Sequence, residues 1–589
     1  MNVAQDLTRQ TPLFYRGDFD QKVVTADNGA KVNSDYLRFI RDGSWGKVGW
    51  SEVRPGVFAI TGLGFNNHVF VESERGLILF DTGTNIGTGR EILKIKRQFS
   101  DRPVVAIIYS HHHYTQAAQP IIDAFPEEDI AIYAHPQLEQ NLLEFKAGAG
   151  SAVMRRAQMQ TGMYLPQHGE DAALMYGFST PRFADNDGGN LGHVSPTHLV
   201  ADEEEVAIDG QRVVFYHTSS DATDSLTVHF PELELVLHNA AIMPMMFPLY
   251  TLRGERYRVA EDLIQGIDRI RQLRPHYMVG CHGFPVIGEA AIQALATHHR
   301  DAYAYLLQQT IRGINLGRNP DQLVRDIQLP PSLRDQDCLF AAYIDPEYIV
   351  RGIYRGLVGW WADDAAEIHP PEPEEYHRAL VDGFGGSGPM IAAAQRAFDE
   401  KKYNLAAKLM SSVVMVEPAL LQAKQLKAAA LRKMAQATPT GIQTRNFLLT
   451  EALALEGKID KRKPPAGGGM PPPGLDMILS APPGTHIRLL ENAINPAPIV
   501  GIHAVIKFSY TDLNLNFGFA LRHGAGEFME EAPSEPDLHI SLTRPVWAEI
   551  ILGKRSFAES QRQGSVNVVG DSDLLAKVTQ AFADVWGQP

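Results

Sequence analysis

One stretch limits what this chain can become more than any other. The apolar run Val104-Val105-Ala106-Ile107-Ile108 leads without interruption into Tyr109-Ser110-His111-His112-His113-Tyr114-Thr115-Gln116. Short, rich in β-branched residues and preceded by Arg102-Pro103, this run reads as an apolar strand. At its exit stand three imidazoles. Side chains at a strand end project from the sheet edge, where several loops meet and donors can converge on one ion. His111 and His113 can face a common point if the loop is extended, and His112 is then turned elsewhere. The plainer alternative is a solvent-exposed histidine cluster.

The surrounding sequence supplies the rest of a sheet. Val57–Ile60, His68–Val71, Leu77–Phe80, Ile130–Tyr133, Val213–Tyr216 and Leu233–Leu237 are short and rich in β-branched or aromatic residues. Each is bounded by Gly, Asn, Asp or Pro. Gly89–Phe99 has a helical pattern between two of them, so sheets covered by helices are expected over residues 1–375. The chain has 589 residues, too many for one hydrophobic core, so further domains must follow.

Residues 376–460 change character towards Ala, Leu, Met and Lys. Leu405, Leu409 and Val413 recur at helical spacing, Glu417-Pro418 breaks the run, and Leu421, Leu426 and Leu431 resume it. Paired antiparallel helices are predicted, either a spacer or a dimerisation module. Residues 461–474 are Pro- and Gly-rich, which suits a linker. Residues 475–589 read as an α+β module: alternation over Ile502–Tyr510 and Leu513–Leu521, a strand at His539–Leu542, and a closing helix with Leu574, Leu575, Val578, Phe582 and Val585.

Charge and composition exclude several functions. A formal net charge of −15 argues against nucleic-acid binding and against a polybasic membrane anchor. No apolar run reaches the length of a membrane span, and no signal-peptide pattern precedes Gln5, so a cytoplasmic location is the expectation. Cys281 and Cys338 are too few for a disulfide framework, and a buried, inert Cys281 is the expected case.

Several motifs together carry a family resemblance. Gly76-Leu77-Ile78-Leu79-Phe80-Asp81-Thr82-Gly83, then Arg102-Pro103-Val104 and a strand into His-x-His, resemble the metallo-β-lactamase superfamily. Met154-Arg155-Arg156-Ala157 through Leu165-Pro166, Leu249-Tyr250-Thr251-Leu252-Arg253-Gly254 and Gly359-Trp360-Trp361 are similar to segments of its alkylsulfatase family. The resemblance runs from about residue 55 to the C-terminus. It implies an α/β fold: a metallo-β-lactamase αββα sandwich, an α-helical dimerisation domain and an α+β sterol-carrier-like domain.

The resemblance also implies a ligand set, and the sequence departs from it. The family's His-x-His-x-Asp-His segment matches at His111 and His113, but Thr115 and Gln116 replace its Asp and final His. Asp221 stands where the family has its first Glu, Ala240 where it has the bridging Glu, and His282 at its last His. The metal ligands expected are therefore His111, His113, Asp221 and His282. One metal-binding set is kept, while Thr115 and Gln116 dismantle the other and Ala240 removes the bridge, since an Ala cannot coordinate.

Arg253 matches the family's sulfate-ester Arg, and a planar fork suits a tetrahedral oxyanion. Catalytic roles fall to Arg253, Asp221 and Tyr114. Met243, Met246 and Phe247 are expected to line an apolar substrate site beside Arg253, because Met accommodates varied shapes; ordinary core packing is the alternative. One divalent metal is expected, zinc first, with iron or haem as the alternative.

Three functions remain open. The first is an alkylsulfatase-like metal-dependent hydrolase of an amphipathic anionic ester. The second is a repurposed non-hydrolytic enzyme using iron or haem. The third is a non-catalytic binder of apolar anions. A small amphipathic or apolar substrate and a homodimer are the expected partners.

Overall fold

The computed structural model describes residues 22–43, 48–146, 149–174, 191–254, 256–437, 442–465 and 475–587. The start of the chain and most of the Pro/Gly-rich 461–474 segment lie outside the described residues.

Two sheets pack face to face. The first has seven strands in the order Gly49–Arg54, Val57–Thr61, His68–Glu72, Leu77–Phe80, Val104–Ile108, Ala131–Ala134, His198–Leu199. The early strands pair antiparallel, and Leu77–Phe80, Val104–Ile108 and Ala131–Ala134 run parallel. Parallel strands need a crossover, and helix Ile86–Lys96 supplies one, started by Asn85 accepting from Thr88 N. The second sheet has six strands, of which Leu226–Phe230, Leu235–His238 and Tyr277–Gly280 are central.

Alternation divides the side chains between layers. Ile78, Ala106 and Ile108 meet Phe215, Val228, Leu237 and Val279 between the sheets. Leu79 and Ile107 pack outward against Ile92 and Ile121. Val236 and Met278 do the same on the other side, against Leu263, Ile267 and Ile292 of helices Ala260–Leu273 and Glu289–Asn315. The result is an αββα sandwich, and Val104–Ile108, a strand as the sequence predicts, is buried along its whole length.

The helical region forms an array that includes Pro373–Gly383, Ser387–Asp399, Tyr403–Val416, Leu421–Ala437 and Ile442–Leu455. Its buried stripe differs from the one read off the leucines. Helix Tyr403–Val416 packs through Ala406, Ala407, Met410 and Val413, while Leu405 is 47% exposed. Small residues let the neighbouring helices approach closely, which turns the larger leucine outward. Helix Ile442–Leu455 is sunk against the sandwich: Arg445 Nη2 donates to the carbonyl of Ala172 at 2.9 Å and Asn446 Nδ2 to that of Gln160 at 2.8 Å.

The last module is a five-stranded sheet, with His503–Tyr510 at its centre between Leu515–Arg522 and Leu538–Leu542. Ala504, Ile506, Phe508 and Tyr510 alternate inward towards Trp547 and Phe582 of the covering helical segments. Among the described residues, no helix is long and apolar enough to cross a membrane.

Candidate metal centre

The site begins at the C-terminal ends of the two parallel strands Leu77–Phe80 and Val104–Ile108. Asp81 follows the first and takes a left-handed conformation, φ 62°, uncommon for a residue with a side chain. That turn brings its carboxylate to the second strand's exit, where Ser110 N donates to Oδ1 at 2.8 Å and Ser110 Oγ to Oδ2 at 2.7 Å. Ser110 Oγ also lies 2.9 Å from His111 Nδ1. Because the hydroxyl proton goes to Asp81, the Ser110 oxygen accepts from His111 Nδ1, which leaves Nε2 as a bare donor atom. Burial lifts the Asp81 carboxyl to about 7.

His111 is fully extended, φ −175° and ψ 179°, and the next residues, His112–Tyr114, form a single 3₁₀ turn. The convergence therefore comes from one extended residue followed by a tight turn, rather than from a wholly extended loop. His111 Nε2 lies 2.8 Å from His113 Nδ1. Asp221 Oδ2 completes the triangle, 3.2 Å from His111 Nε2 and 3.1 Å from His113 Nδ1. His112 turns away to Asp224, whose carboxylate accepts from the His112 backbone N–H at 2.8 Å and meets Nδ1 at 2.9 Å. Asn141 donates to the same carboxylate at 2.7 Å. These donors hold Asp224 at about 2 against the opposing effect of burial.

Asp221 is pinned from behind. Asn239 Nδ2 donates to its Oδ1 at 2.6 Å, and Arg258 Nε donates to its carbonyl at 3.1 Å. Burial pushes its carboxyl up, but His111 and His113 hold it well below the usual range. Burial, joined by the neighbouring His112 ring, holds His113 well below the usual imidazole range.

The donor set fits a metal ion. A tetrahedral ion with bonds of about 2.0–2.2 Å sets its donors roughly 3.3–3.5 Å apart, and these three stand only slightly closer. Among the described residues, His111, His113 and Asp221 are the one group of His, Cys, Asp and Glu that could hold an ion.

The remaining residues singled out from the sequence fall in several places, with Tyr114 and His282 next to the triangle. His282 is close by, but its Nε2 sits 3.2 Å from the Tyr114 hydroxyl, and its ring bonds the backbone of Phe65. Tyr114 stacks edge-on against His111, centroids 4.8 Å apart. Thr115 and Gln116 bond each other, Gln116 Nε2 to Thr115 Oγ1 at 3.0 Å, and Thr115 Oγ1 also donates to the carbonyl of His112. Ala240 is buried and directly follows Asn239 in the chain. Cys281 is buried, and burial raises its thiol well above the ordinary value, which suits the inert reading.

Arg253 is half-buried in the loop after Thr251, where Leu252 N donates to Gln443 Oε1 of the helical region at 3.1 Å. Arg156 Nη1 reaches within 3.6 Å of the place a Cβ would take on Gly254, the residue after Arg253 in the chain. Met243 lines a cavity that also touches His282. Met246 and Phe247 are wholly buried in the core, with Phe247 N donating to Tyr303 Oη at 2.6 Å and Arg258 over its ring.

Sequence reasoning missed the outer partners Ser110, Asn239 and Arg258. The Asp81-Thr82-Gly83 turn was visible as a motif, but the bond from Asp81 through Ser110 to His111 joins two strands far apart in sequence. Asn239 had one local signal, its place directly before Ala240.

Comparison with known proteins places this geometry in a family. The alkyl sulfatase dimerisation family model matches residues 319–458, the alkyl sulfatase C-terminal model residues 474–585, and the metallo-beta-lactamase superfamily model residues 61–114. A linear primary-alkylsulfatase of a Pseudomonas species is 27% identical over 516 residues, covering 85% of this chain and 96% of the relative. An (R)-specific secondary-alkylsulfatase of Pseudomonas is 26% identical, covering 90% and 80%. The solved structure of a stereoselective inverting sec-alkylsulfatase from Pseudomonas shares the fold with a TM-score of 0.81 at 23% identity, over 96% of this chain and 89% of the other. The chain thus belongs to the alkylsulfatase family of the metallo-β-lactamase superfamily.

Proposed function

We propose that this protein is a metal-dependent hydrolase that cleaves an amphipathic anionic ester of the alkyl sulfate class, using one divalent ion held by His111, His113 and Asp221. The observation that carries this reading is the convergence of those three donors, with His111 held by Ser110 and Asp221 by Asn239, next in the chain to Thr115 and Gln116 that bond each other. Zinc suits a site of nitrogen and oxygen donors with an open position. Bound there, it would supply Lewis acidity and an activated water.

The protein's own residues do the rest. Arg253 holds the anionic head through a planar fork, and Arg156, which reaches the neighbouring Gly254, adds a second positive charge to that loop. Asn239 and Arg258 keep Asp221 aimed at the ion. Tyr114 keeps its proton, because burial first and then nearby thiol and carboxylate groups raise its phenol well above the usual value. It therefore offers an O–H towards the reacting ester oxygen. His282 supplies a further nitrogen only when Tyr114 releases it. Met243 contributes to the apolar side of the substrate site; Met246 and Phe247 support it from the core.

The helical region joins two copies into a homodimer. The dimerisation match supports this, as do the exposed apolar side chains Trp360, Tyr376 and Phe384. The C-terminal module, sterol-carrier-like in its α+β pattern, helps present the apolar part of the substrate. The test is release of inorganic sulfate from a medium-chain alkyl sulfate by zinc-loaded protein. Turnover abolished in His113→Ala supports the reading, and no turnover by the loaded protein ends it.

A second reading has one observation in its favour: two imidazoles and one carboxylate are also the donor set of non-haem iron oxygenases. Iron in the purified protein, with a matching visible absorbance and no hydrolysis, would select it.

A further inference from the structure

Arg253 sits in a tight turn. Gly254 N donates to the carbonyl of Thr251 at 3.1 Å, which closes residues 251–254 with Leu252 and Arg253 at the centre. The closing bond leaves the Leu252 N–H unused, and Gln443 takes it: Gln443 Oε1 accepts from Leu252 N at 3.1 Å. Gln443 lies in the first turn of helix Ile442–Leu455, within the segment that matches the alkyl sulfatase dimerisation family. We infer that Gln443 is a positioning residue for Arg253, through which the helical region sets the direction of the guanidinium. This role rests on the reading of Arg253 as the group that holds the anionic head.

Gln443 is itself firmly held. Its N–H donates to the carbonyl of Tyr343 at 3.4 Å, and that of Ile442 donates to the carbonyl of Ala342 at 2.8 Å. Nearly one helical turn further on, Asn446 Nδ2 donates to the carbonyl of Gln160 at 2.8 Å. Gln160 Nε2 in turn donates to Tyr343 Oη at 2.7 Å. The start of the helix, residues 342–343 and Gln160 thus form one bonded frame, and the Gln443 amide oxygen ties the Arg253 turn to it.

The choice of side chain points the same way. The Leu252 N–H can only donate, so the atom facing it is the oxygen of the Gln443 amide. The other end of that amide, Nε2, is buried without a partner among the described residues, in a side chain that is wholly buried. A buried amide with one end unpaired costs stability that a Met of similar size would not. The bond to Leu252 is what offsets that cost. Direction matters here because a planar guanidinium pairs with an oxyanion along fixed lines, whereas a lysine ammonium on its flexible stem does not. A tilt of the turn therefore weakens an arginine far more than a lysine.

The test is a double-substitution cycle, read by calorimetric titration of the zinc-replete full chain with n-octyl sulfonate, which cannot be hydrolysed. Gln443→Met keeps the volume and removes the acceptor. It is expected to weaken sulfonate binding about tenfold, the scale of a buried N–H left unpaired. In an Arg253→Lys background the same change should cost less than about twofold, because residues acting through one another do not add. Zinc content should be unchanged throughout. Equal losses in both backgrounds would mark a merely structural residue and overturn the inference. So would a Gln443→Met that binds like wild type, or a wild type that binds no sulfonate. Gln443→Ser, too short to reach Leu252, carries the same cycle if Gln443→Met does not fold. No sulfate release by the zinc-loaded wild type, with the cycle still coupled, removes the hydrolase reading and keeps the role of Gln443; sulfate release with an uncoupled cycle does the reverse.

Discussion

On one side of Tyr114 the loop gives His111 and His113 to Asp221; on the other it gives Thr115 and Gln116 to each other. Both pairs leave the same strand and lie in the same buried pocket. The first pair has support that only an ion site needs: Ser110 and Asp81 fix the tautomer of His111, and Asn239 frees one oxygen of Asp221 by taking the other. The second pair has closed on itself. Where the family resemblance implies a bridging carboxylate there is Ala240, and its neighbour Asn239 has become part of the first half's support. The difference teaches that neighbouring residues of one loop can take separate partners: His111 and Asp221 are braced by Ser110 and Asn239, while Thr115 and Gln116 are satisfied by each other.

The strongest way to break this comparison is to remove a donor from the supported half. His113→Ala should abolish metal binding and cut turnover by more than the roughly 10–100-fold expected of an outer partner. The converse change rebuilds the closed half. Thr115→Asp with Gln116→His and Ala240→Glu should raise metal content towards a second equivalent, read by elemental analysis. An unchanged content would show that the backbone, and not these side chains, sets the number.

Arg253→Lys keeps the charge and loses the fork. It should lower kcat/KM for an alkyl sulfate by about 10–100-fold, the cost of charged hydrogen bonds worth ~1.5–3 kcal/mol, with metal content unchanged. Asn239→Leu sharpens the comparison inside the supported half. Metal affinity should fall about tenfold, towards the low end for an outer partner, because Arg258 still holds the Asp221 backbone.

The smallest effect belongs to a region remote from both halves. Burial lifts Asp345 to about 6 and, with Asp345 beside it, Glu347 to about 7, where helix Pro346–Val358 meets Thr444. A carboxyl raised on folding binds its proton more tightly in the native state. The contribution is therefore favourable as pH falls from about 7 towards 5 and lost as pH rises through the folded values. In thermal unfolding, the stability of Asp345→Asn relative to wild type should therefore shift in the variant's favour between pH near 5.5 and pH near 7.5, with the metal content unchanged.

The parts of this account legible in the sequence were those written in short segments. The strand Val104–Ile108 and its histidines announced both a strand of the sheet and the place of the site, because an apolar run and its exit lie side by side in the chain. The motifs at Asp81, Leu249–Gly254 and Trp360 carried the family. The helical face was misread at Leu405, since periodicity finds a stripe but not which residues its neighbours leave room for. The bond from Tyr114 to His282 was illegible, because it depends on where two distant loops end. So was the division among Met243, Met246 and Phe247. Only the first of these lines a cavity, and nothing in three nearby apolar residues says which will face it.

The most direct test of the central claim is the metal content of the purified, zinc-replete protein, measured per chain by elemental analysis. The account predicts one equivalent in the wild type and none in His113→Ala. Two equivalents in the wild type, or a full equivalent retained by His113→Ala, would contradict it.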